Sequence, residues 1–134
     1  MTLVDTNVLL DLLTDDARWE VWSRYHLDAA RVDGPLAIND VIYAELSVRF
    51  FQIEPLNFFL AQSAVIRMEF SQAALFAAGK AFQRYRAAGG TRASLLPDFF
   101  IGAQAEEQSL RLLTRDPARY RTFFPTVKLI TPAI

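Results

Sequence analysis

Apolar residues occur along this chain in short runs that alternate with longer stretches of helical spacing. The short runs predict five strands, over residues 1–5, 36–38, 65–70, 110–114 and 127–131. Helices are predicted between them, over residues 8–13, 19–30, 41–51, 56–64, 72–86 and 98–108, with a short helix or turn over 116–124. Strands alternating with helices are typical of an α/β fold. We therefore expect one α/β domain over residues 1–134, with a central, mostly parallel sheet of four to five strands flanked by helices.

Residues at several predicted helix starts support these boundaries. Asn39 and Ser71 stand where N-cap residues are expected, and Asp40 lies in the first turn after Asn39. Pro97 opens the helix over residues 98–108. The buried face of the long alanine-rich helix is predicted to carry Leu75, Ala78, Phe82 and Tyr85.

Composition narrows the class of protein. The chain has 134 residues, of which 52% are hydrophobic and 22% charged, as in a globular domain with a real core. It has no cysteine, which excludes disulfides and thiolate chemistry. We see no basic leader and no apolar run of membrane-spanning length, so we expect a cytoplasmic protein without a membrane partner.

The charge balance allows only local contact with nucleic acid. The net charge of −1 argues against a generally basic surface. The positive charge is mostly arginine, since Lys80 and Lys128 are the only lysines. Arginine can form forked contacts with phosphate and can stack on bases.

Four acidic residues are candidates for a site, and each has a structural alternative. Asp5 ends the first predicted strand, where sites gather in parallel sheets, but it could equally cap the helix that follows. Glu45 lies among apolar neighbours on its predicted helix and could instead pair with an arginine. Asp98 falls in a first helical turn, where the helix dipole favours an acid. Asp116 precedes Pro117, as an N-cap residue would.

Other polar residues give no site. Asp11 faces away from the apolar side of its predicted helix, which predicts a solvated carboxylate. His26 is the only histidine and is expected to be a packing or surface residue. The chain has no phosphate-binding glycine loop, no dinucleotide fingerprint and no nucleophile elbow.

Four blocks of the sequence together resemble one known family. They read "LVDTNVLLDLL" at the start, "NDVIYAEL" near residue 45, "LLPDFFIGAQA" around residue 98 and "LLTRDPARYRTFFPTVKLITP" at the end. In this order they are similar to the PIN domain and, more narrowly, to the VapC-type toxins of VapBC toxin–antitoxin pairs. Ser109 is a departure, because related toxins often carry glycine there. Residues 19–31 match nothing specific.

The resemblance implies a metal-dependent endoribonuclease that is the toxin of a type II toxin–antitoxin pair. Carried across by position, its catalytic and metal-binding residues are Asp5, Glu45, Asp98 and Asp116. Thr6, Asn7 and Thr114 match the polar positions beside the acids and are expected to position the substrate. Arg115 and Arg92 could hold the phosphate backbone of the RNA, as could Arg84 and Arg86.

The implied chemistry agrees with the charges. Two carboxylates ~5 Å apart repel by roughly 3 kcal/mol at an effective dielectric constant of about 20, so four converging acids need cations or protons. Oxygen ligands suit hard ions, which favours Mg²⁺ or Mn²⁺, with one or two ions per site. A bound ion can activate water and polarise a phosphodiester. We expect water to attack transfer or ribosomal RNA, without a covalent enzyme intermediate.

The expected partners follow from adjacent phenylalanine pairs and from the family. The pairs lie at residues 50–51, 58–59, 99–100 and 123–124. Neighbouring side chains on a helix point about 100° apart, so some of these rings are expected at interfaces. The resemblance implies a homodimer and a VapB-like antitoxin, whose arginine or lysine could enter the acidic pocket.

Other classes of protein explain the sequence less well. A catalytically silent PIN-fold module that binds RNA or a partner would not need four mutually repelling acids. A receiver domain needs an aspartate after its middle strand, where this chain has Phe70 and Ser71. A haloacid-dehalogenase-like phosphatase needs D-x-D after the first strand, where this chain reads "DTN".

Overall fold

The computed structural model describes residues 1–133 and is centred on a five-stranded sheet. The strands are β1 (Thr2–Val4), β2 (Leu36–Ile38), β3 (Val65–Arg67), β4 (Arg111–Leu113) and β5 (Leu129–Ile130). Their order across the sheet is β3-β2-β1-β4-β5, and every neighbouring pair is parallel. The predicted α/β class and parallel sheet are confirmed. Ile134, the last residue of the predicted domain, lies outside the described residues.

Helices connect the strands and cover the sheet. They are α1 (Thr6–Leu13), α2 (Glu20–Asp33), α3 (Asp40–Ser47), α4 (Ile53–Gln62), α5 (Gln72–Ala87), α6 (Leu96–Glu107) and α7 (Ala118–Phe123), with a 3-10 turn at Ala93–Leu95. The Asn39 side chain accepts from the Ile42 N–H at 2.9 Å, and Ser71 accepts from the Ala74 N–H at 3.0 Å. Both predicted N-caps are therefore confirmed. No helix within residues 1–133 is both long enough and apolar enough to cross a bilayer.

Two predicted elements end at least three residues earlier than the sequence pattern indicated. α3 stops at Ser47 instead of continuing to residue 51, because the Arg49 and Phe50 N–H groups bond three residues back and tighten the chain into a turn. β3 stops at Arg67 instead of residue 70. Its neighbour β2 ends at Ile38, so the last backbone bond runs from the Met68 N–H to the Ile38 carbonyl.

The core contains the central strands and the packing of α6 against α5. Leu3, Ile38 and Leu112 are fully buried, as expected for a parallel sheet covered on both faces. The face of α5 toward α6 carries small residues, and the buried ones are Ala74, Ala78 and Ala81. Leu75, which was predicted for that face, is 44% exposed, so that assignment is wrong. Alanines let the two helix backbones approach closely.

The sheet order determines where a site can form. From β1 the chain adds β2 and β3 on one side, then returns to add β4 and β5 on the other. The connections after β1 and β4 therefore leave in opposite directions, which opens a crevice at the carboxyl ends of these neighbouring strands. Before β4 the chain turns at Ser109 in a left-handed conformation (φ 55°). Glycine adopts this region without strain, so the glycine that the family resemblance led us to expect would suit this position.

Candidate functional site

The crevice contains a pocket of about 220 Å³ in which the four candidate acids come together. Its lining residues are Asp5, Thr6, Asn7, Leu10, Glu45, Asp98, Asp116 and Tyr120. Asp5 follows β1 and Asp116 lies in the loop after β4, while Glu45 and Asp98 come from α3 and α6. Four segments that are distant in sequence thus contribute one carboxylate each. The spatial grouping agrees with the sequence prediction, although the roles of these residues stay a prediction.

Asp5 is the most constrained of the acids. One carboxylate oxygen accepts from the Thr6 N–H at 2.8 Å, which makes Asp5 the N-cap of α1. The other oxygen accepts from the Thr114 hydroxyl at 2.8 Å and from the Tyr120 hydroxyl at 2.9 Å. Asp5 therefore caps α1, as its structural alternative predicted, and also lies in the candidate site.

Burial makes the charge of Asp5 costly. It raises the pKa of Asp5 to about 6, with a further contribution from the nearby charge of Asp98. Hydrogen bonds from Thr114, Tyr120 and Thr6 oppose this rise, because they favour the ionised form. A cation next to Asp5 would therefore stabilise its ionised carboxylate.

Glu45 reaches the pocket from α3 and is oriented by Thr6. The Thr6 hydroxyl donates to Glu45 Oε1 at 2.6 Å. Burial is the main cause that raises the pKa of Glu45, and the charge of Asp98 adds to it. Within residues 1–133 Glu45 forms no ion pair with an arginine, so that alternative is not realised. Because Thr6 directly follows Asp5, this one bond fixes Glu45 relative to the end of β1.

Asp98 has a cationic partner that the sequence analysis did not identify. Arg119 of α7 donates from its guanidinium to Asp98 Oδ2. Burial raises the pKa of Asp98, Arg119 lowers it, and the charge of Asp116 raises it further. The buried amide pair of Asn39 and Gln104, joined at 2.9 Å, ties α3 to α6 and so fixes Asp98 relative to Glu45.

The loop after β4 is held by Thr114, its own first residue, and by Asn7 of α1. The Thr114 hydroxyl accepts from the Asp116 N–H at 3.1 Å and from Asn7 Nδ2 at 3.3 Å. Asn7 Oδ1 accepts from the Arg115 N–H at 3.2 Å. Asp116 itself remains exposed and does not cap α7, so the N-cap alternative is not realised.

The expectation that Asp11 is solvated is wrong. α1 packs against α2, and the Asp11 side chain is only 2% exposed. It accepts two bonds from the Arg115 guanidinium, at 2.6 and 2.9 Å, and one from the Ser23 hydroxyl at 2.6 Å. Arg115 also lies 5.1 Å from the centre of the Trp19 ring. The Asp11–Arg115 pair thus anchors the loop that carries Asp116.

None of the predicted arginines, Arg115 included, is among the residues that line the pocket. Arg92 is exposed before α6, and Arg84 and Arg86 are exposed on α5. Conversely, Tyr120 lines the pocket although sequence reasoning gave it no role. The sequence signal that could have identified Tyr120 is its position four residues after Asp116, on a short helix.

The donor chemistry of the pocket suits a hard cation. All four acids offer oxygen ligands, and burial makes the charges of Asp5, Glu45 and Asp98 costly without a counter-ion. Among residues 1–133, no three acidic or histidine side chains are arranged to hold one ion directly. A hydrated ion does not require such an arrangement, because Mg²⁺ usually keeps several waters and binds one or two carboxylates directly.

Fold and pocket together define an α/β domain with an acidic crevice at the switch point of its sheet, and comparisons with known proteins give its family. A model of the PIN domain family matches residues 2–123. The chain therefore belongs to the PIN domain family, as the sequence motifs predicted. No curated protein sequence matches the chain.

Solved structures similar to this chain include several toxin–antitoxin complexes. A structure of VapBC2 from Rickettsia felis, bound to a promoter DNA fragment, matches with a TM-score of 0.74 at 17% identity, covering 98% of both chains. A toxin–antitoxin complex from Klebsiella pneumoniae matches with a TM-score of 0.66 at 25% identity, covering 99% of this chain and 98% of that one. VapBC-1 from nontypeable Haemophilus influenzae matches with a TM-score of 0.71 at 17% identity, covering 97% and 96%.

Proposed function

We propose that this chain is a Mg²⁺- or Mn²⁺-dependent endoribonuclease and the VapC-type toxin of a toxin–antitoxin pair. The observation that carries the proposal is the convergence of Asp5, Glu45, Asp98 and Asp116 in one pocket of a PIN domain. A module that only binds RNA or a partner gains nothing from four neighbouring negative charges, which repel both each other and phosphate.

The chain's own residues would hold the cation and orient its ligands. Asp5 and Asp98 would bind it together with Glu45 and Asp116, either directly or through water. Thr114 and Tyr120 fix the carboxylate of Asp5, and Thr6 fixes that of Glu45. The bound ion would lower the pKa of a water molecule and polarise the scissile phosphodiester of the RNA.

Substrate-positioning roles remain predictions for the polar residues around the acids. Asn7 lines the pocket, and its Nδ2 donates to the buried Thr114 hydroxyl, which joins the start of α1 to the loop after β4. Arg115 is engaged by Asp11 through its guanidinium, and Arg92 is free of ion pairs among the described residues. We expect Arg92 to contact the phosphate backbone at some distance from the cleavage site.

We also propose a VapB-like antitoxin as partner. Similar solved structures are toxin–antitoxin complexes, and this chain exposes apolar side chains that a partner would cover. Phe51 and Phe58 are 103% and 65% exposed, beside a groove of about 260 Å³ between α3 and α4 that Tyr43, Phe50 and Leu56 help to line. A complex in which this groove stays open to solvent would contradict the assignment of the surface.

The homodimer and the cytoplasmic location stay predictions. Exposed Leu75 and Phe76 on α5 give the chain a further apolar surface that a second copy could cover. Molar mass measured by light scattering on the chain alone tests the dimer. A monomer at high protein concentration would contradict it.

The activity is tested with the purified chain and total cellular RNA. We expect discrete products with Mg²⁺ or Mn²⁺, none with EDTA, and a loss of about 100-fold or more for Asp98→Asn, which removes a proposed ligand. Asp28→Asn is the matched control, because Asp28 is an exposed acid on α2 outside the pocket. If neither the wild type nor the Asp28→Asn variant cleaves RNA in any of these conditions, the catalytically silent binding module becomes the better account.

A further inference from the structure

Arg119 is the cationic side chain that reaches the acidic pocket. It lies on α7 directly before Tyr120, and its guanidinium pairs with Asp98. The two side chains are 21% and 29% exposed, so the pair lies at the half-buried rim of the crevice. Within residues 1–133, none of the other ion pairs involves Asp5, Glu45, Asp98 or Asp116. In this part of the chain, Arg119 is therefore the one cationic side chain that forms an ion pair with any of the four acids.

The pair places Arg119 in competition with a metal ion. Asp98 Oδ2 accepts from the guanidinium, and a divalent ion bound at the same oxygen would place two cations within a few ångströms of each other. Such charges repel strongly where solvent screening is weak. A metal ion that binds Asp98 Oδ2 would therefore displace Arg119.

A displaced Arg119 has a suitable acceptor in the substrate. The planar guanidinium matches the two free oxygens of a phosphodiester, as it matches a carboxylate. Because its side chain is partly exposed at the rim, Arg119 can leave Asp98 without crossing the core. The RNA phosphate that approaches the acids brings the negative charge that Asp98 no longer offers.

We propose that Arg119 is an exchangeable cation: it pairs with Asp98 in the metal-free pocket and contacts an RNA phosphate once a metal ion has taken Asp98. The inference rests on the proposed metal-dependent function. The inference predicts that Arg119 weakens binding of the metal ion and strengthens binding of the RNA. A residue that only supports the fold would not act in opposite directions.

The first half is tested by calorimetric titration of the metal-free chain with Mn²⁺. Arg119→Gln is expected to bind Mn²⁺ about tenfold more tightly than the wild type, since a hydrogen-bonded charge pair no longer opposes the ion. Arg121→Gln is the matched control, because Arg121 is exposed on the same helix and has no ion pair in the described part of the chain. It should bind Mn²⁺ as the wild type does.

The outcomes separate this inference from the proposed function. Equal or weaker Mn²⁺ binding by Arg119→Gln, with binding by the wild type intact, would overturn the exchange and leave the metal site standing. If none of the three proteins binds Mn²⁺, the proposed metal-dependent function fails and the exchange fails with it. Arg119→Lys provides a second variant if Arg119→Gln unfolds. It keeps the charge but not the fork, so it should bind Mn²⁺ more tightly than the wild type, by less than about tenfold, and equal or weaker binding would overturn the exchange.

The second half is tested by RNA binding in a background without cleavage. Glu45→Gln removes a proposed ligand that does not contact Arg119, and unfractionated transfer RNA with Mg²⁺ is the probe. Adding Arg119→Gln should weaken RNA binding about tenfold, whereas adding Arg121→Gln should change it by less than about twofold. Unchanged RNA binding in the Glu45→Gln/Arg119→Gln variant would overturn the transfer of Arg119 to phosphate.

Discussion

Asp11 is a buried carboxylate whose charge is matched by donors from two other segments. Ser23 and the forked guanidinium of Arg115 satisfy both of its oxygens. Arg115 retains 25% of its side-chain exposure, whereas Asp11 retains 2%. The two members of the pair therefore differ in what happens when the other is removed: the arginine can turn toward water, but the aspartate cannot.

Removal of Arg115 should consequently destabilise the protein more than removal of Asp11. Arg115→Ala leaves an uncompensated buried charge, for which we expect a loss of about 3 kcal/mol or more in the free energy of unfolding. Asp11→Ala should cost less. Arg24→Ala, which breaks the exposed pair with Glu20, is the control and should cost below about 1 kcal/mol. Urea unfolding measures all three, and a larger loss for Asp11→Ala would contradict the account.

The four acids of the pocket could be predicted residue by residue from the sequence, but the side chains that contact them could not. Asp5 and Glu45 were identified because a charge inside an apolar segment is unexpected on local grounds. Asp11 was misassigned because the periodicity of α1 shows only which face is polar, and its partners lie 12 and 104 positions away. Arg119 and Tyr120 carry no local anomaly, since arginine and tyrosine are ordinary residues on a short helix.

Helices α5 and α6 illustrate how packing between elements is set by residue size. Small buried residues on α5 face α6, and on α6 the buried Gly102 lies against the ring of Phe124. A Cβ atom at Gly102 would lie 2.3 Å from Phe124 Cδ2, well inside van der Waals contact. At Gly79 of α5, by contrast, no neighbouring atom of residues 1–133 lies within 4 Å of the corresponding Cβ position.

The same substitution should therefore have opposite effects in the two helices. Gly102→Ala is expected to lower the free energy of unfolding by about 1–3 kcal/mol, because Phe124 must move. Gly79→Ala should raise it by up to about 1 kcal/mol, because alanine is the better helix former and meets no clash. Thermal unfolding of both variants provides the comparison. A stabilised Gly102→Ala variant would show that α6 and the end of α7 are packed less tightly than described.

At the level of elements, the alternation of strands and helices was predictable and several boundaries were not. The caps at Asn39 and Ser71 depend on neighbouring residues only, so local sequence predicts them. The end of β3 depends on where its neighbour β2 ends, and the sequence around β3 does not contain that information. Leu75 was grouped with Ala78, Phe82 and Tyr85 by helical spacing, whereas the buried residues at the contact with α6 are small.

For the molecule as a whole, the order β3-β2-β1-β4-β5 is what brings the acids together. It places the carboxyl ends of β1 and β4 side by side, with α3 and α6 contributing one acid each. When no cation is bound, burial and mutual repulsion of the ionised acids lower the free energy of unfolding. The pKa values of Asp5, Glu45 and Asp98 are all raised, so their effects on stability have the same sign.

Stability of the metal-free protein should therefore increase on mild acidification. The pKa of Asp5 is raised from 3.8 to about 6, so the native state binds the proton more tightly than the unfolded chain between these values. From pH 7 to pH 5 the free energy of unfolding in EDTA should rise by about 1 kcal/mol from Asp5 alone. Asp5→Asn should lack this part of the pH dependence. Urea unfolding at both pH values tests it, and lower stability at pH 5 in the wild type would contradict the sign.

The central claim is that water, activated by a cation in the acidic pocket, cleaves RNA. The most direct measurement is the chemistry of the new RNA ends after cleavage of total cellular RNA in Mg²⁺ and ¹⁸O-labelled water. Attack by water predicts a terminal phosphate that carries one ¹⁸O atom, a hydroxyl on the other fragment, and no 2′,3′-cyclic phosphate at any time. A 2′,3′-cyclic phosphate would mean that the RNA's own 2′-hydroxyl is the nucleophile, and the proposed role of the pocket would be wrong.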